Sequence, residues 1–366
     1  MCFSILLIPL SLEDKMKKGP ARGALLEIVL AKLIEVNGYE IIRNEDGREI
    51  ERKSNNLNLK GRGGFHQFDT LGRFKITPPF VYPLRLFVEA KFYSKHPVGI
   101  EKVRMGVGIL TDVNTNYSTV DLDDNELSVE RYHYHYAIFS TTGFSEPAQR
   151  FAIAHRIHLV DLSGEEYKVF KDLIYSIVEY FSLNDTEDKV RDEFVDFKTW
   201  FADALDYTNL NILLENNANF NDDSLINMVM ILKDYVDNQF MYLATINSPF
   251  IIPLLTKPAF NKLLKKNPHQ KIGIKWGEQK PEKWIIVATD RQLNKEITIN
   301  FTLPKLLIDY MMSNDDINDA AKDIKERKIG TFVFIAYLDK TNPTLCTLKF
   351  DWEMTRKTIL KLKDMM

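Results

Sequence analysis

Cysteine is nearly missing from this chain, since Cys2 and Cys346 are the only two among 366 residues. Two cysteines separated by almost the whole sequence exclude a disulfide framework. They also exclude a zinc site built from closely spaced cysteine pairs. Such cysteine usage is typical of a reducing compartment, so we expect a cytoplasmic protein.

Long apolar runs are missing as well. The apolar segment 2–10 is much shorter than the ~20 residues that a membrane-spanning helix needs, and no basic segment precedes it. It predicts an edge strand or a packing arm rather than a targeting segment. We therefore expect no membrane partner.

Neither sign of charge dominates, because 48 Lys and Arg face 51 Asp and Glu and give a formal net charge of −3. Contacts with nucleic-acid phosphates would have to come from local patches. With 45% apolar and 27% charged residues, the composition is that of a folded globular protein. The length favours two domains.

The order of predicted elements indicates the fold class. A helix is expected over 21–37, ended by Gly38. Later a strand at 136–140, a helix from Pro147 with Ser145 as its N-cap, and a strand at 157–162 follow one another. This alternation predicts an α/β fold with a mixed sheet flanked by helices.

A charged stretch at 184–189 is the predicted boundary between two domains, 1–183 and 190–366. After it, the sequence is mostly helical to about residue 240, and then apolar strands alternate with helical segments. We expect an α+β C-terminal domain that serves recognition, sensing or oligomerisation.

Two carboxylates and a lysine are spaced so that one divalent metal could join them. Asp69 is followed by Glu89-Ala90-Lys91 at the end of the apolar run 81–88, which is typical of a buried strand. Glu89 and Lys91 are two residues apart, so both project from the same strand face. Mg²⁺ prefers oxygen ligands, which Asp69, Glu89 and the Ala90 carbonyl could supply. Lys91 would orient or deprotonate the attacking water.

Glu27 is a third acidic candidate, since it lies beside the apolar stripe of the first predicted helix. Taken alone, such a glutamate is more often paired with a lysine, and Asp69 alone is more often a turn or capping residue. The Glu-x-Lys triplet also arises readily by chance. Only the ordered combination favours a shared site: a helix with Glu27, the glycine-rich segment 61–64, a strand that carries Asp69, and an apolar strand that ends in Glu89 and Lys91.

Five segments together carry a resemblance to a known family: Glu27, 61–69, 89–93, 138–145 and 148–152. Over residues 17–165 the chain resembles the Mrr-type restriction endonucleases of the PD-(D/E)xK nuclease superfamily. This resemblance implies a restriction-endonuclease-like mixed sheet and Mg²⁺-dependent cleavage of DNA, with Mn²⁺ able to substitute.

The resemblance also implies the roles of the site residues. Asp69 and Glu89 would hold the metal together with the Ala90 carbonyl, Lys91 would act in catalysis, and Glu27 would join the site from the first helix. A role in bacterial restriction or phage defence is likewise implied. Paired-strand cleavage often needs two active sites, so a homodimer is expected.

A local basic patch in the second domain offers a further nucleic-acid contact. Residues 257–295 carry ten Lys or Arg against three acidic residues. One interpretation is phosphate contact with stacking on an aromatic ring, and the other is a solvated lysine face above a core tryptophan. The residues concerned are Lys262, Lys265, Lys266, Lys271, Lys275 and Trp276.

An alternating Tyr and His string at 132–136 suggests a metal site through His133 and His135. No cysteine is near, and histidine usually needs further ligands, so strand packing or a hydrogen-bonded surface is favoured.

Three functions remain open from the sequence. The leading one is an Mg²⁺-dependent endonuclease acting on DNA. The alternatives are a catalytically silent DNA-binding protein with a nuclease fold, and an effector nuclease regulated by its C-terminal domain.

Overall fold

The structure is a computed structural model. It describes residues 17–46, 48–53, 56–77, 79–116, 132–183, 190–206, 220, 222–237, 241–247, 249–277, 280–290, 292–339 and 342–355. The predicted N-terminal arm at 2–10 and the predicted boundary at 184–189 lie outside these residues.

The elements up to residue 206 form what we call the N-terminal region. In chain order they are α1 (Lys18–Val36), β1 (Tyr39–Ile41), β2 (Ile50–Lys53), β3 (Asn56–Lys60), β4 (Phe65–Gln67), β5 (Thr70–Phe74), β6 (Leu84–Lys91), α2 (Ile100–Asn114), β7 (His133–Ser140), α3 (Glu146–His155), β8 (His158–Asp161), a 3₁₀ turn (Glu165–Tyr167), α4 (Lys168–Leu183) and α5 (Val190–Asp206).

The elements after residue 220 form the C-terminal region. They are α6 (Asp223–Asp237), β9 (Met241–Thr245), β10 (Ile251–Leu255), α7 (Pro258–Lys266), β11 (His269–Gly277), β12 (Lys280–Asp290), β13 (Lys295–Thr302), α8 (Lys305–Met312), α9 (Ile317–Asp323), a π-helical turn (Ile324–Lys328), β14 (Thr331–Tyr337) and β15 (Pro343–Phe350).

A mixed five-stranded sheet organises the N-terminal region, in the order β1-β5-β6-β7-β8. The pairs β6–β7 and β7–β8 are parallel, and the other two pairs are antiparallel. One face packs Val88 against Leu26 of α1, and the opposite face packs Phe87 with Val103 of α2 and Ala148 of α3. The predicted mixed α/β sheet flanked by helices is therefore confirmed.

Local sequence signals end α1 and begin α3 as predicted. Gly38 has φ +96°, a backbone conformation that glycine adopts without a side-chain clash, and α1 ends just before it. The Ser145 side chain accepts a hydrogen bond from the Ala148 amide and caps the first turn of α3.

Two predicted placements near the carboxylates need correction. Strand β6 begins at Leu84, and Val81 and Tyr82 lie before it with exposed side chains. Pro83 separates them from the strand and has no amide hydrogen for a neighbouring strand. Asp69 is not within a strand either, because it lies in the short connection between β4 and β5.

A seven-stranded sheet dominates the C-terminal region, in the order β10-β9-β14-β15-β11-β12-β13. All its pairs are antiparallel except β11–β15. Its core is separate and includes Trp284, Phe301 and Phe332. Strand β10 and helix α7 were not predicted from the sequence.

Helices α5 and α6 pack into the core of the N-terminal region. Phe197 and Trp200 of α5 and Leu232 of α6 share one apolar cluster with Leu26 of α1 and Phe181 of α4. The division of the chain at 184–189 stays a prediction. What matters for the site is that α5 lies against α1.

A membrane-crossing helix is not found within the described ranges, where every helix is too short or too polar to span a bilayer.

Candidate active site

The four predicted site residues come from three places in the N-terminal region and meet near the carboxyl end of β6. Glu27 lies on α1, and Asp69 lies just before β5. Glu89 and Lys91 lie at the carboxyl end of β6. Their charges act on one another: Asp69 influences Glu27 and Lys91, and Glu89 influences Asp69 and Lys91. The structure therefore brings these four side chains together.

Asp69 is fixed by the neighbouring strand. Its Oδ2 accepts a hydrogen bond of 2.7 Å from the Ala90 backbone amide. Strands β5 and β6 are antiparallel with Thr70 opposite Val88, and this register carries Asp69 to the level of Glu89, next to Ala90. Its Oδ1 accepts no hydrogen bond from the described residues and stays available to a ligand.

Glu89 is held from two sides. Its Oε1 lies 2.5 Å from Lys91 Nζ, and its Oε2 accepts a hydrogen bond from the Tyr136 hydroxyl. The ion pair confirms that Glu89 and Lys91 project from one face of β6. Each carboxylate oxygen has two lone pairs, so both oxygens can still bind a cation.

Glu27 carries the largest electrostatic perturbation of the cluster. Burial, and then the negative charge of Asp69, raise the pKa of Glu27 to about 7, against the opposing charges of Lys198 and Lys91. Near neutral pH this carboxyl group is therefore close to half protonated. The alternative of a surface glutamate paired with a lysine does not describe it, because no ion pair to Glu27 is formed among the described residues.

Lys91 is held as a cation. Burial acts to lower its pKa, but the hydrogen bond and the charge of Glu89, with the charges of Asp69 and Tyr93, raise the pKa above its usual value. A lysine that holds its proton this firmly is suited to neutralising charge and to orienting a water. It is poorly suited to removing a proton near neutral pH.

The donor set fits a hard divalent cation. Burial first, and the charge of Glu89 as well, raise the pKa of Asp69, and the pKa of Glu27 is raised beside it. Three carboxylates thus stand against two lysines, Lys91 and Lys198, an excess of negative charge that a cation would relieve. Mg²⁺ binds proteins through one or two carboxylates and keeps several waters. This mode needs no preformed cluster of three His, Cys, Asp or Glu ligands, and none exists among the described residues.

A cleft with a volume of about 650 Å³ opens beside the carboxylates. Glu27 and Asp69 line it, whereas Glu89 and Lys91 are not among its lining residues. Its other walls are the hairpin of β2 and β3, the segment after β1, and α5. The acidic cluster is therefore reached through a cleft and not from a flat surface.

The predicted basic patch does not form one continuous surface. On β11, Trp276 alternates with Lys271 and Lys275, so the ring lies on the opposite face from both lysines. Trp276 is half-buried and stacks on the fully buried Trp284 with ring centroids 6.3 Å apart. Core packing therefore accounts for Trp276.

The lysines of the patch differ in their surroundings. Lys266 pairs with Asp290 at 2.8 Å and Lys271 pairs with Asp351 at 3.0 Å. Lys262 and Lys265 are exposed on α7. Burial lowers the pKa of Lys275. Contact of these five lysines with nucleic acid stays a prediction.

The histidine string is a packing cluster, as favoured from the sequence. His135 Nδ1 lies 3.1 Å from Nε2 of His158, and the rings of His133 and His135 are in contact with centroids 5.1 Å apart. Burial and the charges of the other two histidines lower the pKa of His135 to about 4, so its ring is neutral at physiological pH.

Sequence reasoning missed two side chains of the site. Tyr136 holds Glu89, and the alternation of Tyr at 132–136 could have placed it on one face of β7. Lys198 acts on Glu27 from α5. It lies beyond the predicted boundary, and no local pattern connects it with the first helix.

The fold and the site define a mixed α/β protein in which three carboxylates and a lysine meet at the end of a sheet. No family model and no curated protein matches the chain. Among solved structures, the crystal structure of a protein of unknown function, AF1548, aligns with 58% of this chain and 96% of its own, at 15% identity and a TM-score of 0.32. A similarity this distant assigns neither a fold family nor an activity.

Proposed function

We propose that the chain is an Mg²⁺-dependent endonuclease of the PD-(D/E)xK superfamily that hydrolyses phosphodiester bonds in DNA. The observation that carries the proposal is the geometry of the carboxylates: Asp69 is hydrogen-bonded to the Ala90 amide between Glu89 and Lys91, which form an ion pair, and Asp69 lines one cleft with Glu27. A role in restriction or phage defence is part of the proposal and rests on the resemblance.

Asp69 and Glu89 would hold the metal, with the Ala90 carbonyl and Glu27 as further ligands. A bound Mg²⁺ supplies Lewis-acid activation of the phosphate and lowers the pKa of a coordinated water. Within the chain, the Ala90 amide fixes Asp69, and Tyr136 and Lys91 fix Glu89. Lys91 positions the attacking water and offsets negative charge that develops on the phosphate.

Metal dependence tests the proposal directly. With supercoiled plasmid as substrate, the full chain is expected to nick or linearise DNA in Mg²⁺ or Mn²⁺ and to be inactive in EDTA. Isothermal titration with Mn²⁺ should show binding that the double variant D69N/E89Q loses. A protein that binds DNA but neither binds Mn²⁺ nor cuts DNA would instead be the catalytically silent binder.

Removing the Tyr136 hydroxyl should weaken the metal site without unfolding the protein. In Tyr136→Phe the ring still packs against Phe87, but Glu89 Oε2 loses its donor. Loss of a group that orients a metal ligand typically costs about 10- to 100-fold in metal affinity or activity. We expect cleavage to need about tenfold more Mg²⁺ for half-maximal rate.

A matched control for this substitution is Tyr242→Phe. Tyr242 is also buried and donates a hydrogen bond of 2.7 Å to Asn261 in the C-terminal core, far along the chain from the site. It should leave the Mg²⁺ dependence unchanged. Equal Mg²⁺ curves for Tyr136→Phe and the unmodified protein would show that Tyr136 does not position Glu89 for metal.

A further inference from the structure

One wall of the cleft is formed by the carboxyl-terminal part of α5. Thr199, Ala202, Asp203 and Asp206 line the same cleft as Glu27 and Asp69. A substrate strand that enters this cleft therefore lies beside α5.

Two cations face this wall. Lys32 lies on α1 little more than one turn beyond Glu27, and Arg43 lies just after β1. Lys32 Nζ is 3.2 Å from Asp206 Oδ1, and an Arg43 guanidinium nitrogen is 3.2 Å from Asp206 Oδ2. One carboxylate thus bridges two cations within the cleft, with each oxygen serving one of them.

A phosphodiester group matches this arrangement of charges. It carries one negative charge and two non-bridging oxygens, as a carboxylate does, and Lys and Arg are the usual partners of nucleic-acid phosphates. While Asp206 bridges Lys32 and Arg43, its negative charge reduces their attraction for a nucleic acid. Asp203, on the same helix, adds a second negative charge beside the cleft.

Asp206 can leave this position without movement of the helix. It is the last residue of α5, and its side chain is 43% exposed. A carboxylate at a helix carboxyl end is disfavoured by the helix dipole, so the two cations are the main attraction that keeps it there. The helix itself stays anchored, because Phe197 and Phe201 are fully buried in the core.

We propose that Lys32 and Arg43 form a binding site for a backbone phosphate of the nucleic-acid strand, and that Asp206 occupies this site as a phosphate mimic in the free protein. The inference rests on the proposed nuclease function and adds to it the groups that hold the strand beside the carboxylates. Substrate binding then exchanges the Asp206 carboxylate for a phosphate on the same two cations.

Binding without cleavage tests this exchange. Fluorescence anisotropy in EDTA would follow a labelled DNA single strand of about 16 nucleotides, with a duplex of the same length measured in parallel. Asp206→Asn is expected to bind the single strand about threefold to tenfold more tightly than the unmodified protein. The variant removes the carboxylate that Lys32 and Arg43 share and, among the described residues, leaves Lys32 paired only with Glu35, at 3.2 Å. Its affinity should also fall more steeply with salt, by up to about 0.7 in the log–log slope for one additional phosphate contact.

Asp203→Asn is the matched control. It removes the same charge from the same helix beside the same cleft, but no ion pair joins Asp203 to Lys32 or Arg43 among the described residues. Its affinity should change by less than about twofold. In the Asp206→Asn background, Lys32→Ala and Arg43→Ala should each remove the gain in DNA affinity. Such non-additivity is expected if Asp206 acts through these two cations.

Either of two results would overturn the inference. One is an unchanged affinity of Asp206→Asn, and the other is an equal gain in Asp203→Asn, which would indicate a general charge effect. The outcome is separable from the nuclease proposal because no cleavage is measured. If the protein cuts plasmid but Asp206→Asn does not change DNA affinity, only the proposed phosphate site is ruled out. If Asp206→Asn raises the affinity but the protein never cuts, only the proposed nuclease function is ruled out.

Discussion

Asp69→Asn is expected to lower the rate of Mg²⁺-dependent plasmid cleavage by about 10³-fold, equivalent to about 4 kcal/mol of activation free energy. The amide has the shape of the carboxylate, and its oxygen can still accept the hydrogen bond from the Ala90 amide. The fold near β5 should therefore be kept, while the charge of a proposed metal ligand is lost. Single-turnover cleavage at saturating Mg²⁺ is the measurement.

Asp309→Asn is the control for this substitution. Asp309 is an exposed carboxylate on α8 that pairs with Lys305 at 2.8 Å, and its loss should leave cleavage unchanged. Circular dichroism melting should give both variants a transition close to that of the unmodified protein. A rate for Asp69→Asn within a few fold of the unmodified protein would remove Asp69 from the metal site.

Lys91→Ala separates the two roles open to this lysine. Its raised pKa keeps it protonated, so Lys91 contributes as a cation. The cleavage rate of the unmodified protein should accordingly show no rise with pH that reports deprotonation of Lys91 near neutrality. If the unmodified protein shows no such pH step and Lys91→Ala loses cleavage, Lys91 positions the water. If the unmodified protein shows the step and the residual activity of Lys91→Ala lacks it, Lys91 is a general base.

The sequence predicted those parts of the fold that local patterns determine. Helix α1 ends at Gly38, and Ser145 caps α3, because glycine at positive φ and a serine cap are short-range signals. Glu89 and Lys91 were placed correctly on one face because a strand alternates with a period of two residues. The prediction that the segments with Asp69 and with Glu89-Ala90-Lys91 lie side by side also agrees with the hydrogen bond between Asp69 and the Ala90 amide.

The parts that could not be predicted depend on contacts between distant segments. Asp206 and Lys32 are separated by 174 residues, and nothing near either of them indicates the other. Strand β10 was missed because it is short and contains Pro253, which reads as a break in a central strand. It is in fact an edge strand of the seven-stranded sheet, where proline is tolerated.

Glu27 is expected to make the protein less stable as the pH rises, when no metal is bound. Its pKa is about 7 in the folded chain against 4.5 for an ordinary glutamate, so the folded state binds the proton more tightly than the unfolded state. The stabilisation is complete below about pH 4.5 and is lost as the pH rises through about 7. A shift of this size corresponds to about 3 kcal/mol, and solvent screening of a half-buried group reduces the expected effect to roughly 1–3 kcal/mol.

Glu27→Gln should remove this pH dependence. Relative to the unmodified protein in EDTA, its free energy of unfolding by urea should be about equal near pH 5 and higher by roughly 1–3 kcal/mol near pH 8. Glu35→Gln is the matched control on the same helix. Its carboxylate pairs with Lys32 at 3.2 Å, away from Asp69, so the variant should follow the unmodified protein across the pH range.

Near pH 8, Mg²⁺ should make the unmodified protein more stable than Glu27→Gln, which is the reverse of the order without metal. A cation that binds the folded carboxylates stabilises the ionised form of Glu27, and the gain in unfolding free energy grows with cation concentration by mass action. Because the glutamine variant has one anionic ligand fewer, its gain should be smaller. If the stability difference between Glu27→Gln and the unmodified protein is the same near pH 5 and pH 8, with and without Mg²⁺, two conclusions follow. The pKa of Glu27 is not raised in the folded protein, and Glu27 is not part of the metal site.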